Sequence, residues 1–242
     1  MLEALLLVVA ALLVGYAKTS IGGLATISIA IFASVMPARE STAAILLLLI
    51  TGDVVAVWKY REHADWALLR RLVPSVLPGL ALGAAFLAVV DDTVLRRSIG
   101  VLLLVTGLLQ LLLQWRSPDV SVIARSRRAA LGTGLAAGFT TMTANAAGSV
   151  MTLYLVARGV EKRRFLGTSA LFYLGVNLCK IPFSAGLGLF TPGTLQRTAL
   201  LVPFVLLGTW AGLHTARRLS QSHFDRAVLA ATLVSAIALV VR

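Results

Sequence analysis

The sequence predicts an all-α integral membrane protein of two inverted-topology repeats. Each repeat has five apolar segments, with short or re-entrant helices at its start. Three observations carry this expectation. The chain has 242 residues, 58% of them hydrophobic and only 13% charged, against about 25% charged in a soluble domain. Its apolar runs are long and separated by short basic loops, unlike the alternating strands of about ten residues that mark a membrane barrel. A pattern of glycine, proline and arginine recurs in the same order in both halves.

Ten apolar segments follow in order: 2–17, 21–36, 42–58, 70–90, 98–115, 129–144, 146–157, 165–183, 197–214 and 223–241. The first holds Glu3 and no basic residue ahead of its apolar core. It lacks the basic start of a secretory signal and reads as a membrane segment of the mature chain. Segments four, five, eight, nine and ten approach the ~20 residues that a spanning helix needs. Segments one and two, and again six and seven, are shorter and adjacent. These pairs read as re-entrant hairpins, or strongly tilted short helices, whose tips meet near the bilayer midplane. Irregular backbone at that depth is tolerated only against protein or a water-filled cavity.

The repeat is legible in the spacing. Pro74, Gly79 and Gly83 recur 129 residues later as Pro203, Gly208 and Gly212, and Arg97 recurs as Arg226. Gly15-Tyr16 recurs 123 residues later as Gly138-Phe139. The division is a first membrane repeat at 1–116, a cytoplasmic linker at 117–128 and a second repeat at 129–242. If the segments alternate across the membrane, fifteen Lys and Arg residues fall on one side and five on the other. The richer side is expected to be cytoplasmic, which leaves both termini periplasmic or extracellular. Loop 59–71 is basic while its counterpart 184–196 is not, so the halves have opposite orientation. This plan recurs in secondary transporters. The location expected is the inner (cytoplasmic) cell membrane, multi-pass.

Net charge +12 raises nucleic acid as a partner only in a soluble protein. Here the basic residues flank apolar spans, so lipid orientation accounts for them and no nucleic acid is expected. Cys179 is the single cysteine and reads as a packed apolar thiol. His63, His214 and His223 lie in or beside loops, and no H-E-x-x-H, nucleophile elbow or P-loop is present. No metal and no cofactor are expected.

The first hairpin reads SIGGLATI at 20–27, followed by HADW at 63–66 and GLALG at 79–83. These stretches resemble the sulfite exporter TauE/SafE family of anion transporters, in which a glycine-rich hairpin, a loop ending in a V-D-W-like tripeptide and G-x3-G follow one another in each half. The resemblance covers nearly the whole chain. It implies transport of sulfite, sulfonates or related small organic anions. The family's glycine triplet is cut to Gly22-Gly23 here, and the second half has Asn145-Ala146-Ala147-Gly148 in its place.

The candidate binding residues lie on the two hairpins and on segment eight. Gly22, Gly23, Asn145 and Gly148 stand at hairpin tips. There, helix starts expose free N–H groups that attract anions, although small residues also serve close helix packing. Lys18, Thr19, Ser20, Thr141 and Ser149 add a cation and neutral donors. Ser169, Tyr173, Asn177 and Lys180 are spaced four, four and three apart and share one helix face. Lys180 is a binding candidate or a lysine snorkelling to the headgroups, and Pro182 is expected to end or kink its helix. Asp53 is the single carboxylate well inside a segment. It is a proton-coupling candidate, a partner for Lys18 or Lys180, or a structural ion pair.

The expected function is secondary transport of a small anion by alternating access, in the lipid bilayer, with room for a homo-oligomer. The alternatives are an intramembrane enzyme acting on a lipid or phosphate substrate, and a membrane subunit that transports nothing.

Overall fold

The computed structural model describes residues 2–20, 24–115 and 126–215. Among them the chain is helical, with α1 at Leu2–Thr19, α2 at Leu24–Val35, α3 at Ala38–Tyr60, α4 at Trp66–Val89 and α5 at Asp92–Trp115. The second half contributes α6 at Arg127–Ala144, α7 at Ala147–Ala157, α8 at Lys162–Gly186 and α9 at Pro192–Thr215. Each coincides with one of the apolar segments read from the sequence. The tenth segment, 223–241, lies outside the described residues, as do Gly22, Gly23, His223, Arg226 and most of the 117–128 linker.

Four of these helices, α1, α3, α4 and α9, are long and apolar enough to cross a membrane. Their outward faces carry exposed Val, Leu and Trp side chains, which in water would form adhesive patches and in lipid are ordinary surface. Trp58, Trp66 and Trp210 are all exposed and stand near the C-terminal end of α3, at the start of α4 and near the C-terminal end of α9, where an aromatic belt would meet the headgroups. Cys179 is exposed on the outer face of α8, not packed as its apolar neighbourhood led us to expect. Position 179 is one residue off the buried stripe of Val176, Asn177 and Lys180, and a single step of ~100° along a helix turns it outward.

Local chemistry fixes the helix ends. Asp65 caps α4, its carboxylate accepting from the Leu68 N–H at 3.0 Å. Ser126 does the same for α6. The start of α3 borrows its cap from α5: Asp92 accepts from the N–H groups of Ala38 and Arg39, both at 3.0 Å. A carboxylate there satisfies orphan donors and opposes the positive helix end. Pro182 does not end α8, which continues to Gly186. The proline removes one backbone donor, and the remaining turns hold the helix.

Two pairs of helices cross without side chains between them. A methyl group on Gly15 would meet the Val205 carbonyl oxygen at 1.9 Å, and one on Gly208 would meet the Leu12 carbonyl oxygen at 2.1 Å. In the other half, a methyl on Gly138 would meet the Val76 carbonyl oxygen and one on Gly79 the Leu135 carbonyl oxygen, each at 2.3 Å. Only glycine allows helices to approach so closely. The two crossings use corresponding positions: Leu12, Gly15 and Tyr16 in one are Leu135, Gly138 and Phe139 in the other. In both, the helices run in the same direction. The first helix of each half is therefore packed on the fourth helix of the other.

α3 and α8 pass through the middle, antiparallel and in contact. The C-terminus of α1 lies at one end of this pair, where the Tyr60 hydroxyl donates to the Thr19 carbonyl at 3.0 Å. The C-terminus of α6 lies toward the opposite end, where the Asn145 amide donates to the Thr42 carbonyl at 3.1 Å. α2 and α7 then turn back, with 12 and 11 residues, or ~18 and ~16 Å. Neither is long enough to span alone. α1 and α6 have 18 residues each, ~27 Å, longer than their apolar cores indicated.

Candidate functional site

The end of α1 with the start of α2, and the turn from α6 to α7, approach from opposite ends and leave a cavity of about 60 Å³ between them. One water needs ~10–15 Å³ on this measure, so the space holds a few waters or one small solute. Most of the wall is apolar, formed by Leu49, Phe165, Leu166, Val176 and several alanines. The polar part of the wall comes from Lys18, Ser20, Asp53, Thr141, Asn145, Thr152, Ser169, Tyr173 and Asn177.

α1 delivers Lys18 from its last turn. Its ammonium lies 2.6 Å from Asp53 Oδ1 and 4.7 Å above the centre of the Tyr173 ring, a cation–π distance. Its stem runs against Gly52, where a methyl group would meet Lys18 Cγ at 2.9 Å. Asp53, on α3, is fully buried, and its second oxygen accepts from the Asn177 amide at 2.7 Å. Of the two partners the sequence offered for Asp53, the contact is with Lys18.

α8 supplies Ser169, Tyr173, Asn177 and Lys180 from one face. The first three line the cavity. The Tyr173 hydroxyl donates to the Gly148 carbonyl at 3.4 Å and faces the hydroxyls of Ser169 and Thr152. Lys180 is 1% exposed and points inward, so it does not reach for headgroups. Its ammonium donates to Asn145 Oδ1 at 2.5 Å and to Thr141 Oγ1 at 3.5 Å. Among the described residues, Asp53 and Lys180 are the charged side chains that are buried.

Asn145 ties these parts together. It closes α6 in the left-handed conformation, φ 53°, where asparagine is tolerated better than most residues. The N–H groups of Asn145 and Ala146 return to the Thr141 and Thr140 carbonyls, completing the helix end. Its amide group then bridges two helices, donating to Thr42 on α3 and accepting from Lys180 on α8. α7 begins at Ala147 with no side-chain cap, and Ala147 and Gly148 of its first turn line the cavity.

Other sequence candidates serve the helices themselves, Ser20 while also lining the cavity. The Thr19 hydroxyl donates to the Thr209 carbonyl at 2.9 Å and helps hold the α1–α9 crossing. Ser20 donates to the Tyr16 carbonyl at 2.6 Å. Thr140 and Thr143 donate back into their own helix. Ser149 is buried but does not line the cavity. Ser20, like Thr140 and Thr143, is thus committed to a carbonyl one turn back, a habit of Ser and Thr in helices. Gly148 has room, since a methyl there would meet nothing nearer than the Tyr173 hydroxyl at 3.9 Å. Gly22 and Gly23 lie outside the described residues.

Sequence reasoning missed Thr42, Thr152 and the apolar wall of Phe165 and Leu166. No spacing rule marks Thr42, whose role is carried by its backbone carbonyl. Thr152 lies four residues beyond Gly148, a weak signal that it shares that face of α7.

The model of the family described as "Sulfite exporter TauE/SafE" matches residues 7–239 of the chain. No curated protein and no solved structure matches.

Proposed function

We propose a transport cycle for this chain, which belongs to the sulfite exporter TauE/SafE family, a family of membrane transporters of sulfite or related anions. In this reading a small oxyanion occupies the cavity between the hairpin tips. The two halves act as inverted repeats that expose it to each side in turn. The observation that carries the reading is a charge imbalance. Among the described residues, Lys18 and Asp53 line the cavity, while a second ammonium, that of Lys180, stands behind Asn145 and Thr141, held by their neutral oxygens and by no carboxylate.

An excess positive charge in an apolar-walled site is costly unless an anion completes it. Asn145 and Thr141 stand between Lys180 and the cavity and add polar atoms at its wall. The uncapped first turn of α7 adds backbone N–H groups and the positive end of its dipole. Tyr173 and Asn177 add neutral hydrogen-bonding groups. A site with one net charge and many neutral donors binds an anion and still lets it go.

The fifteen-to-five distribution of basic residues orients the cycle. The ends of α3 and α9 and the starts of α4, α6 and α8 are assigned to the cytoplasm, with both termini outside. Counterflow of radiolabelled sulfite in proteoliposomes tests the proposal. Accumulation that depends on the protein, with the recovered anion chemically unchanged, supports a carrier. Recovery of a transformed product points instead to an intramembrane enzyme. Absence of flux for sulfite, sulfonates and sulfate alike leaves a non-transporting subunit.

A further inference from the structure

Resting on the reading of an anion carrier, we propose that the Lys18–Asp53 pair selects the charge of the cargo. While Asp53 is ionised the cavity takes a monoanion. A dianion enters only together with one proton, which is held on Asp53.

The charge count follows from the contacts. Lys180 contributes one positive charge while its ammonium is protonated, and that group faces the same neutral oxygens of Asn145 and Thr141 whichever anion is present. Lys18 and Asp53 cancel while their contact at 2.6 Å is intact. The site then carries one positive charge, which a sulfonate or bisulfite balances. A proton on Asp53 releases the charge of Lys18, and the site then balances a dianion such as sulfate or the fully ionised form of sulfite. In an apolar-walled cavity a mismatched unit of charge strongly disfavours binding.

The geometry accommodates both states. Lys18 is the penultimate residue of α1, and Lys18, Asp53 and Asn177 all line the cavity, so each can meet its occupant directly. When released, Lys18 keeps its place over the Tyr173 ring. Asn177, which now donates to Asp53 Oδ2, can rotate its amide and accept from the protonated carboxyl instead. The groups that face Asp53 are few. α1 presents Lys18, and α8 presents Asn177, Tyr173 and, further away, Lys180. α2, α6 and α9 present neutral side chains around it: Ala25, Thr141 with Asn145, and Val205 beside Gly52. On α5 the charged residues Asp92, Arg96 and Arg97 stand at the far end, with Asp92 capping the start of α3. Among the described residues that line the cavity, Asp53 is therefore the carboxyl that can take up a proton with a dianion.

The test uses the full chain and two probes whose charge is fixed across the neutral range, sulfate and methanesulfonate. Sulfite itself changes charge there and would blur the result. Because the dianion binds with a proton, sulfate binding should tighten as pH falls, by up to about tenfold per unit for one linked proton. The pH slope of methanesulfonate binding should be shallower by that one proton, since any proton exchanged by Lys180 affects both probes alike. In proteoliposomes holding a pH-sensitive dye, sulfate entry should carry one proton more per anion into the lumen than methanesulfonate entry. Asp53→Asn should bring the sulfate slope down to that of methanesulfonate. Equal slopes for the two anions, equal acidification, or a sulfate slope that stays the steeper one in Asp53→Asn would each overturn the inference while leaving a carrier in place. If neither probe nor sulfite moves, the carrier reading falls and this inference with it. The comparison of two anions on the unaltered chain needs no variant, so it decides the matter even where Asp53→Asn does not fold.

Discussion

Replacing Lys180 by methionine separates a binding role from a structural one, because the two roles predict opposite changes in stability. The substitution keeps an unbranched side chain of similar length and removes one buried charge. An anion touching the cavity side of Asn145 would stand about 6 Å from the Lys180 ammonium, allowing one further hydrogen-bond length beyond the contact to Asn145. Two unit charges at about 6 Å interact by roughly 2.8 kcal/mol at an effective dielectric constant of about 20. Part of this is offset, because the ammonium polarises Asn145 even without substrate. A loss of about 1.4–2.8 kcal/mol is therefore expected, or about ten- to a hundredfold in Kd. The empty protein should respond differently. It loses a hydrogen bond to a charged group, worth about 1.5–3 kcal/mol, but also the burial of an ammonium without a carboxylate partner, which costs several kcal/mol. Its Tm should hold steady or rise. Lys180→Arg should retain part of the binding, since the charge survives while its shape changes. Titration calorimetry with sulfite on purified protein, beside thermal unfolding of the same samples, reads both quantities. Unchanged affinity in Lys180→Met would refute the charge argument. A fall in Tm with affinity intact would make Lys180 a structural tie between α8 and α6.

Gly15→Ala should cost several kcal/mol or abolish folding, because the new methyl would sit 1.9 Å from the Val205 carbonyl oxygen and the backbone has little freedom to yield. Gly148→Ala meets nothing nearer than 3.9 Å; expression and Tm should be near normal while anion affinity changes, and an unchanged affinity would remove Gly148 from the site. Asn145→Gly keeps the left-handed turn but frees Lys180, so it should weaken binding with a smaller loss of stability than Asn145→Ala, which adds roughly 1–2 kcal/mol of left-handed strain; equal Tm values for the two would refute the turn argument. For topology, Cys179→Ser should be nearly neutral, because the thiol is exposed. On that background, cysteines in 184–196 should react with an impermeant reagent from outside and cysteines in 158–161 only after the membrane is opened; the reverse pattern would invert the orientation.

The sequence revealed the helices because a membrane chain declares its spans by composition, and every described helix has its apolar run. It revealed the polar face of α8 because spacings of four, four and three need no knowledge of neighbours. What Lys180 touches was not legible, since Asn145 is 35 residues away and held by a carbonyl, that of Thr42, which no side-chain pattern records. Ser20 reads as a free donor in a list of residues, but its helix offers it a carbonyl one turn back. Gly79 and Gly208 were legible as markers of the repeat, yet their partners, Leu135 and Leu12, carry no signature, because the contact is backbone on backbone.

The pairing of α1 with α9 sets the order of synthesis against the order of assembly. Thr19 and Thr209 are 190 residues apart, and at about 5–20 residues per second a ribosome needs roughly 10–40 seconds to make what lies between them. During that interval α1 waits in the membrane with a glycine-notched face that no other helix fills. The corresponding face of α6 meets α4 as soon as it emerges, because α4 is already made. The half of the molecule translated first therefore closes last. A nascent chain released before α9 would carry a first helix packed on α2 and α3 but open along its glycine face, and that is the form that quality-control proteases of the membrane would encounter.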